Sequence, residues 1–290
     1  MSWRTVVISN SAKLDYQMGY MVVRRDEILK IHLSEISILI IETTAVSFTA
    51  ALLNELSKRK IKVIFCDEKR NPSCELVSYY GSHDTSAKIR KQIAWSDDIK
   101  KAVWTEIVAE KIRKQAELLE ELDKEEGSLL NQYLDELQFG DESNREGHAA
   151  KVYFNALFGK SFSRSLENSI NAALNYGYGI ILSCFTREIT ANGYITQLGL
   201  FHDNMFNQFN LASDLMEPFR PLNDRLVFQM MPEKFEHEEK MNVLKLLQQE
   251  VTISVRKEYI SNAIKIYTKS VFDALNEGDT SLIRFYSVEL

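Results

Sequence analysis

Asp214 and Glu217 stand three residues apart in the segment 210–221, with Arg220 three further on and with Pro218 and Pro221 set among them. On a helix, residues at i and i+3 share a face, so the two carboxylates would point the same way. Side by side they repel unless a cation lies between them. His202 comes a short distance upstream. Oxygen donors with one imidazole suit a divalent metal of the kind used in phosphate chemistry. The prolines add a backbone argument. A proline cannot donate to the carbonyl four residues back, and its ring pushes that carbonyl aside. The two carbonyls concerned belong to Asp214 and Glu217, so a helix here should bend or end and hold both acids at a pocket. Taken alone, Asp-Leu-Met-Glu is more often a solvated turn before a proline stop.

Other residues could join such a site. Glu146 follows the polar stretch 139–144 and sits near a helix start, where a carboxylate is favourable for ordinary reasons. His148, two residues on, points elsewhere on a helix. Asn168, Asn171 and Asn175 share one helical face. Such amides either tie helices together or bond acids and phosphates, with the structural use slightly favoured. Arg220 could pair with an acid or contact a phosphate oxygen. Basic residues cluster at Lys58-Arg59-Lys60, at Lys88, Arg90 and Lys91, and at Lys111, Arg113 and Lys114. The usual meaning of these runs is a solvated face. The alternative is a surface tracking a DNA backbone, with the last two clusters and Arg145 as candidate contacts.

The elements that must position these groups follow from composition and period. The chain has 290 residues, of which 45% are hydrophobic and 26% charged, ordinary for a globular protein of one large or two modest domains. Only 11 glycines and 4 prolines occur, so long helices should dominate much of it. The net charge of −6 gives no support to nucleic-acid binding, although a local basic patch would suffice for it. Cys66, Cys74 and Cys184 match no zinc or redox spacing and read as reduced cytosolic thiols. The start shows no signal peptide, and no apolar run is long enough to cross a membrane.

Residues 3 to 80 read as mostly β, with strands at 5–8, 20–23, 27–33, 36–41 and 61–65, a helix between 47 and 60, and a loop at 67–73. A linker is expected at 81–85. From residue 86 the period is helical: 86–126 as one helix or as two meeting near Ser96-Asp97, then 142–157, 166–184, 205–217 and 238–275. The reading is α+β, a β-rich domain at 1–80 followed by a larger all-α domain at 86–290.

Five stretches together resemble a known family: V-A-E-K-I-R-K-Q at 108–115, R-E-G-H-A-A-K-V-Y-F at 145–154, N-A-A-L-N-Y-G-Y at 171–178, G-L-F-H at 199–202 and D-L-M-E-P-F-R-P at 214–221. They look like the CRISPR-associated integrase and endonuclease of spacer acquisition, the larger of the two universal adaptation proteins, in its type II branch. The resemblance implies an N-terminal β-sandwich-like domain and a C-terminal helical catalytic domain that uses Mg2+ or Mn2+. By motif the metal ligands fall on Glu146, His202 and Glu217. The family often has aspartate at the last of these, and Asp214 matches a further acidic position beside the metal. It also implies a homodimer through the β domains, and two such dimers flanking a dimer of a small adaptation partner. That four-to-two assembly inserts captured double-stranded DNA at the CRISPR repeat by attack of a 3′-hydroxyl on a phosphodiester. Other type II CRISPR proteins could join it, in the prokaryotic cytoplasm. A neutral His202 ligand would make activity fall at low pH as the ring protonates. The rival functions are a general metal-dependent DNA nuclease and a non-catalytic DNA-binding scaffold. In the scaffold, Glu146, His202 and Glu217 would not converge.

Overall fold

The computed structural model describes residues 4–78 and 82–288. Of the expected linker, Gly81 lies outside the described residues, as do Met1–Trp3 of the start. The N-terminal part holds strands β1 (Arg4–Ile8), β2 (Ala12–Gln17), β3 (Tyr20–Arg24), β4 (Ile28–His32), β5 (Ile36–Ile41) and β6 (Val46–Phe48), helix α1 (Ala50–Lys58), and strands β7 (Lys62–Cys66) and β8 (Pro72–Leu76). They form two four-stranded sheets, in the orders β1-β5-β7-β8 and β4-β3-β2-β6. In the first, β1, β5 and β7 run parallel and β8 antiparallel to β7. In the second, β2, β3 and β4 are antiparallel neighbours.

The unbroken apolar run of β5 has a direct cause. Leu39 and Ile41 face a core shared with Leu14, Met21, Val23, Leu52 and Leu56. Ile38 and Ile40 point the other way, into the core of the helices. A strand covered on both faces must be apolar throughout. Three strands of this part are absent from the expected ones, among them the short β6 at the start of the expected helix. β2 alternates apolar with polar residues throughout yet is absent from the expected strands, and β8 begins at Pro72 in what reads as a loop. Proline is tolerated there because β8 ends the order of its sheet, so one row of its backbone groups needs no strand partner.

The second part is mainly helical. α2 (Thr85–Ile93) and α3 (Asp97–Glu121) meet at Ser96, whose hydroxyl accepts from the Ile99 N–H at 3.3 Å as an N-cap. α4 (Glu126–Asp135), α5 (Arg145–Phe158) and the long buried α6 (Ser169–Ala191) follow. Where a helix is expected at 205–217, the helix α7 covers only Asn210–Leu215, and a 3-10 turn at Glu217–Phe219 separates it from α8 (Arg220–Met230). The break at the prolines is therefore present. Its carbonyls are not left free: that of Glu217 accepts the Arg220 N–H and that of Asp214 the Met216 N–H. α6 and α8 pack closely at Gly177, where a Cβ would collide with the buried Asn223 amide.

The expected helix at 238–275 is a correction. α9 (His237–Leu244) stops early, β9 (Glu250–Ile253) and β10 (Arg256–Tyr259) form a hairpin, and only then does α10 (Ile260–Glu277) begin. β11 (Tyr286–Ser287) adds to β9, giving a small third sheet inside the helical part. The cause is local. Val251, Thr252 and Ile253 favour a strand. Ser254 and Val255 both adopt positive φ, at 51° and 65°, as a tight hairpin turn whose twist matches its strands requires.

Candidate metal centre

α3, α5, α7, the loop before α7 and the 3-10 turn after it bring the candidate residues together. Glu146 lies in the first turn of α5, whose start is fixed by the buried Asp141 carboxylate, accepting from the Arg145 and Glu146 N–H groups at 2.6 and 3.1 Å. Burial pushes the Asp141 carboxyl up, and these two donors oppose the shift. Glu217 opens the 3-10 turn and is buried. Between the two glutamates stands the Lys111 ammonium from the middle of α3, donating to Glu146 Oε1 and Glu217 Oε2. The other Glu217 oxygen accepts from Arg220 Nε at 2.8 Å, and the Arg220 guanidinium lies 4.5 Å from the centre of the Tyr178 ring. Burial alone would raise the Glu217 carboxyl. Arg220 and Lys111 overcome that and hold it at about 2. Burial works against the Lys111 charge too, but the two glutamates win and raise its ammonium above the ordinary value.

His202 is built from the other side. Asp214 on α7, fully buried, accepts backbone N–H bonds from Leu200 at 2.6 Å, Phe201 at 3.1 Å and His202 at 3.1 Å, and its Oδ1 lies 2.5 Å from His202 Nδ1. A carboxylate only accepts, so Nδ1 carries the proton, and in the neutral ring Nε2 is the nitrogen that keeps a lone pair. The Asp214 bond is the main reason the His202 imidazole is raised above its ordinary value. Burial opposes that shift, and Glu217 and Glu146 add smaller increases through their charge. Phe201 stacks on Trp104 of α3 with centroids 4.6 Å apart, and the His202 ring stands edge-on to the same indole at 5.9 Å. The turn leaves no space: a Cβ at Gly199 would collide with the His202 carbonyl oxygen. Asn210 closes it, with Nδ2 donating to the Gln197 and Asn204 carbonyls at 3.0 Å each.

Several assignments change. Lys111 and Lys114 do not lie on an open surface: they are only 6% and 7% exposed, and Lys114 pairs with Glu110 and Glu117. Arg113 pairs with Glu110, Arg145 with Glu136 at 2.8 Å, and Lys88 with Asp84 at 3.9 Å, while Arg90 and Lys91 are exposed. Asn171 and Asn175 do not reach the acids. Both accept from the Arg164 guanidinium, and Asn168 caps α6 through the Asn171 N–H at 2.8 Å. Lys111, Trp104 and Asn210 were missed as parts of the site. A signal for Lys111 existed: it follows Trp104, Ile107 and Val108 at helical spacing on an apolar stripe, where a lysine needs a buried anionic partner.

Among the described residues no three acids, cysteines or histidines form a ready-made metal-holding group. The donor chemistry nonetheless fits a hard divalent cation. Two carboxylates already share one positive charge, and the charge of both acts on the His202 imidazole, whose Nε2 keeps its lone pair in the neutral ring.

Behind the site, Asp224 of α8 accepts from the Tyr153 hydroxyl at 3.1 Å and from the Tyr178 hydroxyl. Burial pushes its carboxyl up to about 6, from an ordinary 3.8, and the tyrosines only partly oppose this. With the folded value raised, the neutral acid is favoured by the fold. That stabilisation is complete below the unfolded value and is lost as pH rises through about 6. Asp224→Asn should therefore gain on wild type by on the order of 3 kcal/mol between about pH 4 and pH 7.5. Urea unfolding of both proteins across that range checks it. A constant difference would mean that Asp224 does not titrate there.

The geometry can be set beside known proteins. The family model for CRISPR associated protein Cas1 matches residues 5–262. The CRISPR-associated endonuclease Cas1 of Neisseria meningitidis serogroup C is 36% identical over 232 residues, covering 79% of this chain and 76% of that one. A casposase bound to integration product superposes with a TM-score of 0.78 at 15% identity, over 97% of this chain and 93% of that one. A chain of a Cas6-RT-Cas1–Cas2 complex gives a TM-score of 0.73 at 18% identity over 97% of this chain, which spans 36% of that longer chain. With nearly its whole length matched by the family model, and the α+β fold shared with these structures, the chain belongs to the Cas1 family of CRISPR-associated proteins.

Proposed function

We propose that the chain is a metal-dependent DNA integrase of CRISPR adaptation, joining a captured DNA end to the CRISPR repeat. One observation carries this reading beyond family membership. Glu146 and Glu217, far apart in sequence, share a single buried positive charge, and their own charges reach an imidazole that Asp214 orients. A scaffold has no use for that expensive arrangement. Glu146, His202 and Glu217 would hold Mg2+ or Mn2+, whose charge stabilises the developing charge on the phosphate and the departing 3′-oxygen.

The chain's own groups do the rest. Asp214 keeps the His202 proton on Nδ1 and fixes the ring. Arg220 keeps Glu217 ionised and aimed. The attacking group is the 3′-hydroxyl of the DNA. The P–O bond to the repeat's 3′-oxygen breaks as the new one forms, so no protein nucleophile is required. The buried thiols suit that absence. Burial pushes Cys66 up to about 12 and Cys184 up to about 11, which leaves both unreactive.

The Cas2 named in the neighbouring complex supports a small adaptation partner here; the homodimer and the four-to-two assembly are part of the proposal. Further type II CRISPR proteins and a place in the prokaryotic cytoplasm belong to the same proposal. No helix among the described residues is long and apolar enough to cross a membrane. The name endonuclease carried by the Neisseria relative favours a second reading, hydrolysis at the same site. One assay separates the readings: a short 3′-hydroxyl duplex, a plasmid bearing a CRISPR array, the small partner and Mn2+. Joined product that disappears with 3′-dideoxy ends is expected for the integrase. Free cut ends alone would mean hydrolysis, and neither product would leave only a binding role.

A further inference from the structure

Lys111 poses a problem for any cation that enters between Glu146 and Glu217, because its ammonium already donates to both. It is almost wholly buried, on the rigid middle of a 25-residue helix. Glu146 and Glu217 are balanced without a metal by Lys111 and Arg220, and the Asp214 carboxylate on the other side of the site is held by three backbone N–H groups and His202. A divalent ion added there with the ammonium still in place would leave surplus positive charge in a poorly solvated site and set the ammonium against the ion itself.

We propose that Lys111 is the built-in counter-ion of this site, and that a divalent metal binds between Glu146 and Glu217 only by displacing its ammonium. The inference rests on the metal-site reading above. It has a consequence for substrate. A lysine has four rotatable methylenes and can swing its charge away while its Cα stays fixed. Arg220 cannot take over that role, since it is engaged with Glu217 and lies against Tyr178. The displaced ammonium needs an anion, and a DNA phosphate arriving at the site supplies one. Metal and DNA then favour each other's binding, by the same factor in both directions. Without DNA the ion pairs keep the acids together and metal binding weak, so the protein holds little metal until a substrate is present.

The test is metal binding, not turnover: Mn2+ titrated into wild type, Lys111→Met, Lys111→Arg and Glu217→Gln, with free Mn2+ followed by electron paramagnetic resonance. Lys111→Met should bind Mn2+ roughly tenfold or more tightly than wild type, because the competing charge is gone. Lys111→Arg, which keeps the charge, should stay as weak as wild type. A short duplex should tighten Mn2+ binding to wild type and do so much less for Lys111→Met. Equal or weaker binding by Lys111→Met, with Glu217→Gln abolishing binding, would overturn the displacement and leave the metal site standing. Binding absent from every protein, or indifferent to Glu217→Gln, would overturn the metal site and the displacement with it. Should Lys111→Met unfold in metal-free buffer, thermal melting decides. A melting temperature that Mn2+ raises more than in wild type supports displacement, and one that Mn2+ leaves unchanged refutes it.

Discussion

His202→Ala is expected to lower strand transfer by roughly a thousandfold while leaving a folded protein. The side chain is 42% exposed, so little apolar burial is lost with it. Asp214 keeps its three backbone donors when the ring is gone, and Phe201 keeps its stack on Trp104. The stability change should therefore stay within about 1 kcal/mol. What disappears is the nitrogen donor that Asp214 orients. Rates of joining in the array assay, with a melting curve beside them, check both halves. Near-normal joining by a well-folded His202→Ala would remove the histidine from the site and reopen the hydrolase and scaffold readings. Glu146→Ala should share the kinetic phenotype for a different reason, since it leaves Lys111 paired with Glu217 alone.

Asp214→Ala should behave differently, losing stability and activity together. Its carboxylate is fully buried and accepts three backbone N–H bonds and the His202 imidazole. Truncation strands those donors in a closed turn that Gly199 leaves no room to repack. Removing one partner from such a buried network costs about 3 to 5 kcal/mol. Urea unfolding and the joining assay should move together in this variant. A variant of wild-type stability that has lost only Mn2+ binding would instead make Asp214 a ligand in its own right. The contrast with His202→Ala separates a group that meets the reaction from one that holds such a group in place.

Much of this architecture was legible from one dimension because its causes are local. The two-faced apolar run of β5, the cap at Ser96 and the prolines that follow α7 each act within a few residues. The misses have causes of another kind. The hairpin at β9 and β10 sits inside a stretch whose apolar residues also fit a helical stripe, and the pairing with β11 helps settle the choice. β8 was hidden by Pro72, which is harmless only because the strand ends its sheet order. Asn171 and Asn175 were rightly seen to share a face. That their partner is Arg164 was not visible, because the arginine approaches across a loop.

The sequence by itself determined the family, the α+β class, the helix break at Pro218 and Pro221, and the identity of the candidate acids and histidine. Those follow from residue type and short-range spacing. Only the tertiary structure decided what Lys111 does. In sequence its place on the apolar stripe of Trp104, Ile107 and Val108 points to burial, but nothing there says which acids it meets. Three segments, around residues 111, 146 and 217, must meet before its charge has a partner. A buried ion pair is a property of that meeting, because its energy depends on distance and on the exclusion of water, and neither is written in the order of residues.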